Sequence, residues 1–205
     1  MVDIRDFEES FVIHFGVEGT RVNAYTLASS LVAIADAAKS ANSVLNPGYE
    51  IEVLVEAVGS GSFKAKIRAL YHGSGNLFSK SDLRAIVMSV IAAYIYTHTL
   101  DPGPDVQVVV NTDEVVIEYG SKRIIVPRDV HEATQRVAQA PEFREGVSRA
   151  FQSLENDPDV HYVAISPSME EKTPPDRIPR DQFRAISAGV LLEQAGTREF
   201  VETTD

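Results

Sequence analysis

Cysteine is absent from the 205-residue chain. Its absence excludes disulfides, thiolate metal ligands and a cysteine nucleophile, and it is compatible with a reducing compartment. The N-terminal segment, MVDIRDFEESFVIHF, also lacks the basic start and apolar run that mark a secretory signal. We therefore expect the protein to work in the cytoplasm.

Positive charge is scarce. The chain has 19 Lys and Arg against 30 Asp and Glu, which gives a formal net charge of −11, and most of the excess acid lies beyond residue 100. Nucleic-acid affinity depends largely on Lys and Arg that displace counterions from phosphates. A chain of this charge is expected to bind no nucleic acid.

Long apolar runs are also absent. The longest uncharged stretch, residues 85–100, has 16 residues and includes polar side chains such as Ser89 and His98. A spanning helix needs about 20 predominantly apolar residues. We expect a buried core helix over residues 83–100 and no stable membrane insertion; a membrane-associating effector that uses this helix is a weaker alternative.

The first half of the chain, residues 1–100, alternates strand and helix patterns. A β-rich run at 11–15 predicts an opening strand, and apolar residues at steps of three and four predict an amphipathic helix over 26–45. Alternating residues on both sides of Gly59-Ser60-Gly61 then predict a hairpin. A three-residue loop there would place Glu56 opposite Lys64, and Glu52 opposite Arg68, in an exposed ladder of opposite charges.

The second half, residues 105–205, follows a break at Asp101-Pro102-Gly103-Pro104. Three short β-rich runs between 106 and 126 predict a three-stranded meander. Helices are expected over 128–138, from Pro141 onward and over 182–192, with a strand at 160–165 and a proline-rich loop before the last helix. The sequence thus predicts an α+β fold, with antiparallel hairpins and a meander packed against amphipathic helices. The two halves are either separate or packed as one domain.

The polar motifs are weak as signals of chemistry. A G-x-G-x-x-G nucleotide loop would need its third glycine where Lys64 stands, and no two of the five histidines have the spacing that places two metal ligands on one helix face. His14 and His161 are expected to be ordinary, partly buried imidazoles. No catalytic residue, metal or cofactor is predicted. The candidate ligand-binding residues lie on two loops and the strand between them: Gly59, Ser60, Gly61, Ser62, Lys64 and His72.

Four features follow one another along the chain: an opening strand that ends in His14-Phe15-Gly16, a first helix with Leu and Ser, the stretch Val-Leu-Val-Glu-Ala at 53–57 leading to Gly61-Ser62-Phe63, and the run Ile-Ile-Val-Pro-Arg-Asp-Val at 124–130. Together they resemble a family of uncharacterised bacterial and phage proteins. The resemblance implies an apolar helix after the hairpin and a bacterial or phage setting. It also implies relatives that continue into a further strand-rich part, which would make this chain a shortened version. It carries no established activity and no functional residues.

These observations favour a non-enzymatic protein-interaction or regulatory protein, including a role in phage–host conflict. We expect a homodimer, because two-fold dimers are the commonest soluble assemblies and strand edges can pair, and an unidentified protein partner. The alternative is a protein that binds a small anionic ligand or nucleotide through the loops at 59–62 and 72–76. Lys64, Lys66 and Arg68 would then face the anion.

Overall fold

A computed structural model describes residues 1–7, 9–17, 21–58, 63–72, 86–99, 106–170, 176–188 and 200–202 of the chain. The predicted Gly-Ser loop at 59–62, the start of the predicted core helix and the break at 101–104 lie outside the described residues.

Two five-stranded sheets organise the described residues. In spatial order, the strands of the first sheet are β1 (Val2–Asp3), β7 (Lys122–Pro127), β6 (Glu114–Tyr119), β5 (Gln107–Val110) and β10 (Phe200–Glu202). Those of the second sheet are β3 (Glu50–Val58), β4 (Phe63–His72), β2 (Ser10–Val17), β8 (Val160–Ser166) and β9 (Ile178–Pro179). Neighbouring strands are antiparallel except for β1 with β7 and β10 with β5. The predicted α+β fold, its hairpin and its meander are confirmed, and each sheet combines strands from both halves of the chain.

Five α-helices pack between and beside the sheets in the described part of the chain. They are α1 (Ala24–Leu45), α2 (Ile86–His98), α3 (Arg128–Val137), α4 (Pro141–Glu155) and α5 (Phe183–Ser187). The side chain of Asn23 caps the first turn of α1 by accepting a hydrogen bond from the Tyr25 amide at 2.8 Å. The helix ends just before Gly48, whose φ of 95° suits a residue without a side chain.

Helix α2 is the centre of the core. Every residue from 87 to 96 is buried, and the helix contacts α1, α3, α5 and strands of both sheets. The prediction of a core helix is confirmed over the described residues, and protein surrounds this helix on all sides. The hydroxyl of Tyr96 donates to the Ile165 carbonyl at 2.6 Å and accepts from the Ile165 amide at 3.0 Å, which ties α2 to the second sheet.

Helices α1 and α4 approach each other closely through small residues. A Cβ atom on Gly146 would lie 2.9 Å from both the Cβ and the amide nitrogen of Ala37, and 3.0 Å from the carbonyl oxygen of Ala33. Glycine is therefore required at this point of α4 because the backbone of α1 occupies the space of a side chain. The contact decides which face of α1 is buried.

The hairpin forms, but its predicted pairing is wrong. A β-bulge between Val55 and Ala57 adds a residue to β3, so Glu52 lies opposite Leu70, and Leu54 opposite Arg68. The carboxylate of Glu56 does not face Lys64 across the strands. Instead it makes ion pairs with Lys66 at 3.2 Å and with Arg68 at 3.0 Å.

Candidate functional site

The predicted ligand-binding residues do not meet at one site. Gly59, Ser60, Gly61 and Ser62 lie outside the described residues. Lys64 and His72 stand eight residues apart on β4, which is about 26 Å at the ~3.3 Å rise of a strand. A small ligand cannot contact both Lys64 and His72 across that distance.

His72 is a surface residue at the end of β4. Its Nε2 atom lies 3.3 Å from a carboxylate oxygen of Glu52 on β3, and both side chains are more than half exposed. Exposed pairs of this kind contribute at most about 1 kcal/mol because water screens them. The pair is therefore a solvated contact, not an oriented catalytic group.

Lys64 is buried, against the expectation of an exposed rung in a charge ladder. It retains 7% of its exposure, and its ammonium donates to the carbonyl of Met169 at 3.3 Å. The loop that follows β8 covers the outer face of the second sheet at this point, which alternation within β4 could not reveal. Because Glu56 holds Lys66 and Arg68, intramolecular partners engage all three cations of the strip proposed for an anion.

His14 lies beside Lys64 on the same outer face and is 2% exposed. Its Nε2 atom is 2.6 Å from the hydroxyl of Ser166, a residue of β8 with no exposure. The Ser166 hydroxyl is also 3.0 Å from the carbonyl of Ser168, which can only accept, so the hydroxyl proton is directed there. His14 must therefore donate from Nε2 to the Ser166 oxygen, which makes it the neutral Nε2–H tautomer.

Burial, followed by the nearby positive charge of Lys64, lowers the pKa of His14 to about 4. The imidazole is neutral at pH 7 for that reason. In a serine nucleophile, the histidine nitrogen must accept the serine proton. Here the same nitrogen already carries a proton and the serine proton points away, so the arrangement fits a buried structural pair. The sequence predicts only a partly buried His14, because no local signal indicates that Ser166 of the distant strand β8 lies against it.

An aromatic ring covers the adjacent part of this face. A Cβ atom on Gly16 would lie 2.1 Å from ring atoms of Tyr162, so the ring rests directly on the glycine backbone. The guanidinium of Arg177 lies 4.5 Å from the centre of the same ring, within cation–π range. The outer face is therefore closed over Gly16 as well as over His14.

A cleft lies between β7 and β9, near the end of α2. Its described charged lining residues are Lys122, Arg123, Asp176 and Arg177. Arg123 is 3.3 Å from the carboxylate of Glu118, and Arg177 is engaged with an aromatic ring. Asp176 lies 2.9 Å from the N-terminal ammonium. The lining then adds a single further lysine, Lys122, and one surface lysine does not define an anion site.

The N-terminal half of α1 presents a surface of a different kind. Residues 24–35 contain no charged side chain, although 24% of the whole chain is charged and about three charges would be expected in twelve residues. The uncharged segment in α2 is explained by burial, but this one is not: Tyr25 is 85% exposed and Val32 is 58% exposed. Ala28 is exposed and Ala35 partly exposed on the same side. We call these four residues the α1 stripe.

The α1 stripe was not among the sequence predictions. Helix α1 carries apolar residues on two opposite sides. One side is the stripe, and the other is buried against α4 through residues such as Ala33 and Ala37. Periodicity cannot identify the solvent side of a helix that is apolar on both sides. The unusual absence of charge over residues 24–35 is the one signal that could have found it.

Comparison with known proteins found no matching family model, curated protein or solved structure. The resemblance to bacterial and phage proteins therefore stays an expectation. Among the described residues, no group of three His, Asp or Glu side chains is arranged to hold a metal ion. Within the same residues, no helix combines the length and apolar character needed to cross a bilayer.

Proposed function

We propose that this protein is a non-enzymatic interaction protein that acts by binding another protein chain through the α1 stripe. The observation that carries the proposal is the exposure of apolar side chains, Tyr25 and Val32 above all, on a helix that carries no charge over residues 24–35. Interface centres are depleted in charge and enriched in aromatic residues relative to other surfaces, and Tyr25 fits that composition. The cytoplasm of a bacterium or of a phage-infected cell is the setting we propose, from the absence of cysteine and the sequence resemblance.

The magnitudes favour a contact over an idle surface. Fully burying an apolar side chain the size of Val32 stabilises a complex by about 1.5–3 kcal/mol before the cost of association is counted. Tyrosine adds a large contact area with few rotatable bonds, which is why it is frequent among residues that dominate binding. The small side chains of Ala28, between Tyr25 and Val32, and of Ala35, beyond them, would allow a partner to approach the helix backbone.

The alternative, binding of a small anion, has less support. It relied on Lys64, Lys66 and Arg68 as free cations, and each of them has an intramolecular partner. An anion would have to break the ion pairs of Glu56 before binding. That leaves the α1 stripe as the better-supported site.

Site-specific photo-cross-linking in the cells that express the protein tests the proposal. A benzoylphenylalanine in place of Tyr25 should yield one discrete protein adduct, and the same group in place of the exposed Gln152 on α4 should not. Adding Val32→Lys to the Tyr25 probe should abolish the adduct, because it introduces a charge into the stripe. Equal labelling from both positions, or no adduct from Tyr25, would refute a protein contact at this face.

A further inference from the structure

The spacing of the α1 stripe is that of a coiled-coil seam. Tyr25, Ala28, Val32 and Ala35 follow one another at steps of three, four and three, which are the a and d positions of a heptad. Such a seam faces a second helix in coiled coils. Here Tyr25, Ala28 and Val32 are exposed to solvent and Ala35 is partly exposed.

We infer that the α1 stripe binds the α1 stripe of a second copy of this chain, with the two helices antiparallel. This inference rests on the proposed function and names its partner. In antiparallel coiled coils an a residue faces a d residue of the partner helix. The sequence then places Tyr25 against Ala35 of the second copy, and Val32 against Ala28 of the second copy.

Size complementarity supports this arrangement over others. Every layer of the antiparallel pair contains one large and one small side chain, which is the alternation that fills a core without voids or clashes. A parallel pair would place Tyr25 against Tyr25 and Ala28 against Ala28, so that crowded layers alternate with empty ones. The two-fold axis of the antiparallel pair also closes the assembly at two chains.

The ends of the stripe add little to affinity. Lys39 and Asp36 lie at the C-terminal end of the stripe, and the carboxylate of Asp36 is already 2.9 Å from the guanidinium of Arg149 on α4, so we count no charge pair between the two copies. The seam from 25 to 35 is about 16 Å long at 1.5 Å per residue, and it buries less than the ~1,200 Å² of the smallest standard interfaces. We expect a weak dimer, with a dissociation constant on the order of 10–100 µM.

The edges of the second sheet do not offer a competing route to a dimer. Its one long described edge strand, β3, carries Glu50, Glu52 and Glu56 together with a bulge. Acidic residues and bulges on an edge oppose pairing with another strand. We therefore expect the dimer to form through a helix face and not through paired strand edges.

Sedimentation equilibrium across about 5–200 µM protein, a range that brackets a weak interface, tests the inference. The wild-type mass should rise from 22.5 kDa toward twice that value. Val32→Lys and Ala28→Glu should each remain monomeric, because each introduces a charge into a closed layer of the seam. Val44→Lys, at an exposed position of α1 outside the stripe, should dimerise like the wild type.

An equimolar mixture of the Val32→Lys and Ala28→Glu chains should restore the dimer, since the antiparallel register places the introduced ammonium against the introduced carboxylate. Circular dichroism should show that both variants fold, because both positions are exposed. A monomeric wild type at 200 µM, a dimer that Val32→Lys leaves intact, or a mixture that stays monomeric would each overturn the inference. If the wild type is monomeric but the Tyr25 probe labels a different protein, the proposed function stands and the second copy is excluded as its partner.

Discussion

Lowering the pH should destabilise this protein through His14. The side chain is 2% exposed between Lys64 on β4 and the uncharged Ala164 and Ser166 on β8. Its pKa is lowered to about 4 in the folded protein, against 6.5 for an ordinary histidine, and burial is the main cause. As the pH falls below 6.5, the unfolded chain therefore takes up this proton before the folded protein does. The free energy of unfolding must decrease over that interval.

The expected loss follows from the two pKa values. Through this one group, the free energy of unfolding should fall by about 2 kcal/mol at pH 5 and about 3 kcal/mol at pH 4, relative to neutral pH. Above pH 7 the effect nearly vanishes, because His14 is then neutral in both the folded and the unfolded protein. Because small domains are stable by only about 5–15 kcal/mol, a loss of this size is measurable by denaturant titration.

The assay compares the wild type with His14→Gln by urea denaturation, followed by circular dichroism, at steps between pH 7.5 and 4.5. The amide of glutamine can still donate to Ser166 but does not titrate, so the carboxylates shared by both proteins cancel in the difference. We expect the wild type to lose about 2–3 kcal/mol more than the variant across this range. A difference that stays constant with pH, or an NMR titration of His14 with a midpoint near 6.5, would refute the reasoning.

Three further substitutions test the packing. Alanine normally stabilises a helix, but Gly146→Ala should lower the free energy of unfolding by about 1–3 kcal/mol in a urea titration, because the new Cβ would collide with Ala37. The control, Gln152→Ala on the exposed side of α4, should change the free energy of unfolding by less than about 0.5 kcal/mol. Arg180→Ala should lower the free energy of unfolding by about 2–4 kcal/mol, since the guanidinium donates to backbone carbonyls at the end of α4, in the turn that follows and at the start of β8. Arg180→Lys should recover less than half of this loss, and equal melting temperatures of Arg180→Ala and wild type would contradict the expectation. Val90→Asp should cost several kcal/mol and leave insoluble protein on expression, because it places an unpaired charge in the core; a soluble, folded variant would show that the site admits water.

Elements with strong local patterns could be predicted from the sequence. The periodicity of residues 26–45, the turn signals around the meander and Pro141 at the start of α4 all act over a few residues, so the helices and strands they predict are confirmed. The short strands β1, β9 and β10 were missed, because two or three residues carry no periodicity and pair only once a neighbouring strand is in place. The wrong pairing of Glu56 has the same origin, since a bulge changes the register without a clear local signal.

The candidate sites depended more heavily on tertiary structure. The fold class, the absence of cysteine chemistry, the acidic charge and the uncharged segment at residues 24–35 can all be read from the residues alone. The burial of His14 and Lys64 depends on the tertiary fold, because His14 contacts Ser166 of β8, 152 residues away in the chain, and Lys64 contacts Met169 in the loop after β8, 105 residues away. The tertiary fold also decided which side of α1 faces solvent, because Gly146 on α4 allows close packing against one apolar side and leaves the other exposed. Periodicity records which residues share a face, whereas burial depends on which distant element occupies that face.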